Sequence, residues 1–238
     1  MIKMKRIILA STSTVYGSDF LEYLLEELTI HFAETDTILF IPYARPNGMS
    51  YDEYSIKANQ AFNKINKSVI GIHEYKDPIK AIENAKGLFI GGGNTFVLLK
   101  DLYNNGLVPV LKRVLENGTP YLGTSAGSNI CGKTVGTTND MPIVYPPSFN
   151  ALEQVTFNIN PHYLDPDPSS KHMGETRETR INEFHKFNSI PVVGLREGSY
   201  LHLFGQDVIL KGQHSARVFE KGKEPVEFAT GSNLNNLS

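Results

Sequence analysis

The chain has 238 residues, 40% hydrophobic and 20% charged, with a formal net charge of −2. This is the composition of an ordinary soluble globular protein, and it supplies no basic field for nucleic acid or an anionic membrane. The single cysteine, Cys131, excludes an internal disulfide, and no apolar run approaches the ~20 residues of a membrane span; a cytoplasmic protein with no nucleic-acid or membrane partner is expected.

Met1–Ala10 is basic and then apolar, but the apolar run is short for a signal peptide and reads as a buried first strand over 6–10. Apolar residues at helical spacing predict a helix from Phe20 to Phe32. Thr37–Pro42 reads as a second strand. Tyr51, Tyr54, Ala58, Ala61, Phe62 and Ile65 share one side of a helix over 51–65. Val69–His73 is strand-like. Asp77 is a good N-cap, and Pro78 a good first residue, for a short helix over 78–85. A strand over 87–90 runs into Gly91-Gly92-Gly93-Asn94. Helices follow over 95–104 and 108–117, the second closed by Gly118. The apolar stretch Pro120-Tyr121-Leu122 then leads into Gly123-Thr124-Ser125-Ala126-Gly127.

Beyond Ser125 the helical period is lost until residues 175–187. From Val192 onward, short strands separated by turns read as an antiparallel meander on the sheet edge. The earlier alternation predicts an α/β fold: a mostly parallel doubly wound sheet flanked by helices, with a C-terminal antiparallel β meander. No linker or repeat divides the chain, so residues 1–238 read as one domain with a frayed tail over 231–238. In such a sheet ligands sit beyond the carboxyl ends of the strands, where both glycine-rich loops fall.

Gly123–Gly127 fits the G-x-S-x-G elbow, in which glycines permit a sharp strand-to-helix turn that presents a serine hydroxyl. Such a serine needs a base, a carboxylate to orient the base, and two donors for the oxyanion. The Ala126 N–H is the natural first donor, and the loop Gly91–Asn94 offers the second. A phosphate cradle is the competing reading of that loop, but neither nucleotide-binding glycine pattern is present. Among the seven histidines, His31 and His185 read as surface residues on helices. His73 ends an early strand, His172 lies in a proline-rich loop, and His202 and His214 lie in the meander. His162 ends the apolar alternating segment 157–161, a rigid way to place a base. Asp140, in a polar turn, and Glu197, after a strand, are the two candidate acids. Cys131, six residues past the elbow serine, reads as a small buried hydrophobe.

Together, Gly91–Thr95, Gly123–Asn129, Thr137–Val144, Asn160-Pro161-His162 and Gly174–Arg177 resemble, in order and spacing, the peptidase E (α-aspartyl dipeptidase) family. Its members are serine peptidases with a fold related to the class I glutamine amidotransferases. The resemblance implies Ser125 as nucleophile, His162 as general base and Asp140 as third member, with Glu197 matching a family acid near the histidine; the choice between the two acids stays open. It also implies Gly92, Gly93 and Ala126 in the oxyanion hole and Asn94 among the substrate-binding residues. Arg177 would pair with an aspartyl side chain, a role that suits a planar, always charged fork. Without the resemblance, Arg177 reads as a surface charge near Glu178 and Glu183. The implied activity is hydrolysis of dipeptides with an N-terminal aspartate (Asp-Xaa). No H-E-x-x-H or paired Cys/His spacing appears, so no metal or cofactor is expected, and the chain reads as a monomer or homodimer. Three alternatives compete: a cyanophycinase-like or isoaspartyl peptidase, a non-catalytic binding protein on this scaffold, and a cysteine amidotransferase using Cys131. The loop 163–172 is where the match is loosest.

Overall fold

The computed structural model describes residues 4–167, 169, 171 and 173–237. Strands β1 (Arg6–Ala10), β2 (Thr37–Ile41), β3 (Ser68–Gly71), β4 (Leu88–Ile90) and β5 (Tyr121–Thr124) pair in parallel in the order β3-β2-β4-β5-β1. Each is apolar at successive positions because both faces are covered. Ile7, Leu9, Leu39, Ile41, Leu88 and Ile90 pack on one face, against α3 (Pro78–Asn84), α4 (Thr95–Asn104) and α5 (Leu107–Glu116). Ile8, Ala10, Ile38, Phe40, Phe89 and Leu122 pack on the other, against α1 (Leu25–His31) and α2 (Tyr51–Asn63). The two-residue period of the strand thus sorts one apolar run into two cores.

The helix starts follow their caps. Ser50 and Glu53 form a reciprocal capping box on α2, and Asp77 accepts from Lys80 N at α3. Several elements stop a residue or more inside their expected bounds, and two of them show the cause. The helix expected from Phe20 begins only at Leu25, after a 3-10 turn over Glu22–Leu24, because buried Leu21 takes φ 60° and donates its N–H to Ser13 O at 2.7 Å. The strand expected over 69–73 stops at Gly71, whose N–H donates to Glu74 Oε1 at 2.9 Å and opens a 3-10 turn.

The meander divides between two sheets. β8 (Ser199–Phe204) and β9 (Asp207–Gly212), with β7 (Val192–Leu195) before them, follow β6 (Asn158–Pro161) and α7 (Arg177–Phe187) in the chain. β8 and β9 extend the main sheet antiparallel to β1 and complete seven strands. β10 (Ala216–Phe219), β11 (Val226–Phe228), β7 and β6 form a second sheet in the order β11-β10-β7-β6, with β6 and β7 parallel. Turn residues mark where strands end but do not say which strands pair. α7 covers the second sheet through Ile181, which packs with Tyr163, Val192 and Phe219. The tail is docked, not frayed. Leu234 and Leu237 are buried, and Leu234 N donates to Val208 O at 2.8 Å. Ser238 lies outside the described residues.

Candidate active site

Four strands deliver the site at their carboxyl ends, two from each sheet. β4 runs into Gly91–Gly93, β5 into Ser125, β6 into His162 and β7 into Arg196-Glu197. Ser125 sits at φ 52°, ψ −110°, a backbone conformation rare for any residue with a side chain. It is held there by its N–H to Ala10 O at 3.0 Å and by its carbonyl, which accepts from Ser128 and Asn129 at 3.0 and 2.8 Å. His162 also lies at positive φ, 53°.

The Ser125 hydroxyl donates to His162 Nε2 at 2.9 Å, and His162 Nδ1–H donates to Glu197 Oε1 at 2.6 Å. A carboxylate can only accept, which fixes the proton on Nδ1 and leaves Nε2 free to take one. A hydroxyl, an imidazole and a carboxylate thus stand in line, the order that a serine nucleophile requires of its base and orienting acid. Of the two candidate acids, the structure brings Glu197 to the histidine. Asp140 is used elsewhere: its Oδ2 accepts from Thr95 N at 2.7 Å and from Thr138 Oγ1 at 3.0 Å, at the start of α4. An anion there satisfies an unpaired N–H and the helix dipole.

Ser11, just past β1, belongs to no catalytic motif of the sequence. It is fully buried, its hydroxyl donates to Leu195 O at 2.7 Å, and it accepts from His162 N at 2.9 Å. One side chain thereby ties the base and the stem of Glu197 to the sheet that carries Ser125. The only signal was a run of small hydroxyl residues, Ser11-Thr12-Ser13, directly after a buried strand.

Gly92 lies against the nucleophile: a Cβ there would stand 3.0 Å from Ser125 Cβ and 3.5 Å from Oγ. Gly93 has φ 144°, and a Cβ on it would overlap the Ala44 carbonyl oxygen. Among the described residues no acceptor faces the N–H of Gly92, Gly93 or Ala126. Asn94 differs from expectation. Its Oδ1 caps α4 by accepting from Phe96 N and Val97 N, both at 3.1 Å, and its Nδ2 donates to Met141 O at 2.9 Å. That side chain is committed to the scaffold rather than turned to a ligand.

Arg177 is the first residue of α7, half-buried, with no carboxylate within 4.0 Å among the described residues. Burial and the neighbouring Arg180 pull its pKa down, while Asp140, close enough to act through space, opposes them. Of the acids expected beside it, Glu178 pairs instead with Arg217 at 3.1 Å. Pro168, Ser170 and His172 of the loose loop lie outside the described residues. His31 and His185 are buried rather than at the surface. His31 Nε2–H donates to Tyr121 O at 3.1 Å, and burial pushes its pKa down to about 3. Cys131 is buried as expected, and desolvation pushes its thiol up to about 12, which leaves no thiolate for an amidotransferase reaction.

The fold and this site define a serine peptidase of the α/β class. The model of peptidase family S51 matches residues 7–211, and the chain belongs to that family. It is 45% identical to the peptidase E of Streptomyces coelicolor over 97% of this chain and 94% of that protein. It is 41% identical to the "Probable alpha-aspartyl dipeptidase" of Drosophila melanogaster over 100% and 99% of the two chains. The crystal structure of a peptidase from an acI-B1 actinobacterium shares the fold, with a TM-score of 0.70 at 16% identity over 97% and 96% of the chains.

Proposed function

We propose that the chain hydrolyses dipeptides with an N-terminal aspartate through an acyl-enzyme on Ser125. The observation that carries this reading is the line Ser125–His162–Glu197, together with Arg177, a half-buried cation near Asp140 that has no carboxylate within 4.0 Å among the described residues. His162 takes the hydroxyl proton as Oγ attacks the carbonyl carbon, and Glu197 balances the imidazolium that forms. The oxyanion accepts from Ala126 N–H and from the loop at Gly92 and Gly93. His162 then returns the proton to the leaving amine, and water repeats the sequence on the ester. Arg177 takes the aspartyl side-chain carboxylate as a planar fork. Asp140 is a supporting acid that keeps the start of α4 in place across from Arg177. The peptidase names of the relatives at 45% and 41% identity support the substrate class.

The same reading places the protein in the cytoplasm. Cys131 is a free thiol, and among the described residues no helix is long and apolar enough to cross a membrane. It also treats the chain as one catalytic unit, since the site draws on both sheets. Turnover of Asp-Leu against Glu-Leu, Asn-Leu, Ala-Leu and isoaspartyl-Leu tests it, with Asp-Leu expected to lead. Arg177→Ala is expected to cost ~2 kcal/mol or more of transition-state binding on Asp-Leu. Unchanged hydrolysis of Asp-Leu by that variant would remove Arg177 from the proposal.

A further inference from the structure

Two donors stand behind the glycine loop and take no part in the reaction described above. Arg45 Nε and the Tyr54 hydroxyl both donate to Gly92 O, each at 3.2 Å. The Arg45 guanidinium lies over the Tyr54 ring, 5.1 Å from its centroid, and no carboxylate lies within 4.0 Å of it among the described residues. Tyr54 is buried, which pushes its phenol up and keeps it a donor. It packs so closely on Gly91 that a Cβ there would overlap its hydroxyl.

The carbonyl of Gly92 and the N–H of Gly93 belong to one planar peptide unit, and in a trans unit they point in opposite directions. Fixing the oxygen from behind therefore fixes where the N–H points. The other side of Gly93 is held too, by the overlap a Cβ would make with Ala44 O and by Asn94 N donating to that oxygen at 2.7 Å. Two donors on one carbonyl, one of them cationic, also polarise the unit and make its N–H a stronger donor. The Gly93 N–H has no acceptor among the described residues, and its loop lies against Ser125.

We propose that Arg45 and Tyr54 are positioning residues of the oxyanion hole, which aim and strengthen the Gly93 N–H through the carbonyl of Gly92. The inference rests on the serine-peptidase reading of Ser125. It assigns a catalytic consequence to a cation that touches neither substrate nor nucleophile.

The test uses Arg45→Met and Tyr54→Phe, which keep shape and remove one donor each, with Arg45→Lys as the conservative variant. Each of the first two is expected to lower kcat on Asp-Leu about 10-fold or more, short of the ~10²–10³-fold cost of deleting an oxyanion donor outright. KM should stay within about 2-fold, as for an interaction that matters only in the transition state. The boronic acid analogue of aspartate, which places an oxygen in the hole, should bind more weakly by the same factor as kcat. The reduced-amide analogue of Asp-Leu, with CH2 in place of the carbonyl, should bind as before, and Arg45→Lys should recover part of kcat. Equal weakening of both analogues, or an unchanged kcat, overturns the proposal. The rate at which a fluorophosphonate labels Ser125 keeps the substrate question separate. In that step Oγ bonds to phosphorus, fluoride leaves and His162 accepts the proton. If wild type is labelled but cleaves no Asp-Xaa, the substrate reading fails, and slower labelling of the two variants still supports the positioning role. If their labelling is as fast as wild type, that role is overturned.

Discussion

The two halves of the site are held by different forces. Ser125 and the glycine loop stand on the seven-stranded sheet, and what surrounds them is mostly uncharged backbone and buried apolar side chains, with Arg45 behind the loop and Asp140 at its far end as the exceptions. His162, Glu197 and Arg177 come from the four-stranded sheet and α7, through a chain of ion pairs. Arg196, next to Glu197, donates to both oxygens of Asp165 at 2.6 and 2.8 Å and to both oxygens of Glu227 at 2.9 Å. Arg217 joins Glu227 to Glu178, the neighbour of Arg177, at 3.4 and 3.1 Å. Ser125 is thus held by backbone hydrogen bonds and close packing of uncharged groups, while the segments that carry Glu197 and Arg177 are tied by ion pairs. The first arrangement should be indifferent to pH, and the second should not.

The largest expected effects remove the reacting groups. Ser125→Ala or His162→Ala should lower kcat by about 10³-fold or more, with the double variant little worse, because the pair acts as a unit. On the steric side, Gly93→Ala forces a side chain into a left-handed conformation and against Ala44 O. It should cost ~1–3 kcal/mol of stability and disturb the hole, and by thermal unfolding that cost should be the same at pH 5 and pH 8. A cost that changed with pH would break the contrast between the halves.

On the charged side, the comparison is Glu197→Gln against Asp140→Asn. Glu197 accepts from His162 at 2.6 Å, so its amide variant should lower kcat by roughly 10²-fold through loss of imidazolium stabilisation. Asp140 touches Thr95 and Thr138 but not the histidine, so Asp140→Asn should act through KM and stability, with kcat down ~10-fold or less. The reverse order in kcat would return Asp140 to the triad.

The alternation of strands and helices, the cap at Asp77 and the elbow at Ser125 were legible because each is local, written within a few residues. So was His162, since a buried strand runs straight into it. The acid was not, because Asp140 and Glu197 are both polar turn residues and only the parallel pairing of β6 with β7 puts Glu197 beside His162. Ser11 escaped for the same reason: its two bonds reach across 151 and 184 residues of chain. The second sheet was illegible because its pairing skips β8 and β9, and the tail because its anchors, Leu234 and Leu237, are isolated apolar residues in a polar run. Arg177 showed the limit most clearly, since local pattern favours a surface charge and only the neighbours that ignore it leave it available.

The smallest expected effect tests how the charged half is tied. Arg196→Met should lower kcat only several-fold, because Ser11 still holds the Leu195 carbonyl, and lower Tm modestly, since its partners are half exposed and can be solvated. The pH dependence of that Tm difference is the sharper observable. Arg196, with help from Ser215 and Arg217 against the cost of burial, holds the Glu227 carboxyl down at about 2, and Arg196 also lowers Asp165. A carboxyl depressed in the folded state contributes stability that is fully present above its unfolded pKa, about 4.3 for glutamate, and is lost as pH falls through the folded value. The gap between wild type and Arg196→Met should therefore be constant from neutral pH to about 5 and close between about 4.5 and 2. If it stays open in acid, packing of the guanidinium on Tyr163, 5.5 Å from that ring, holds this half more than its charge does.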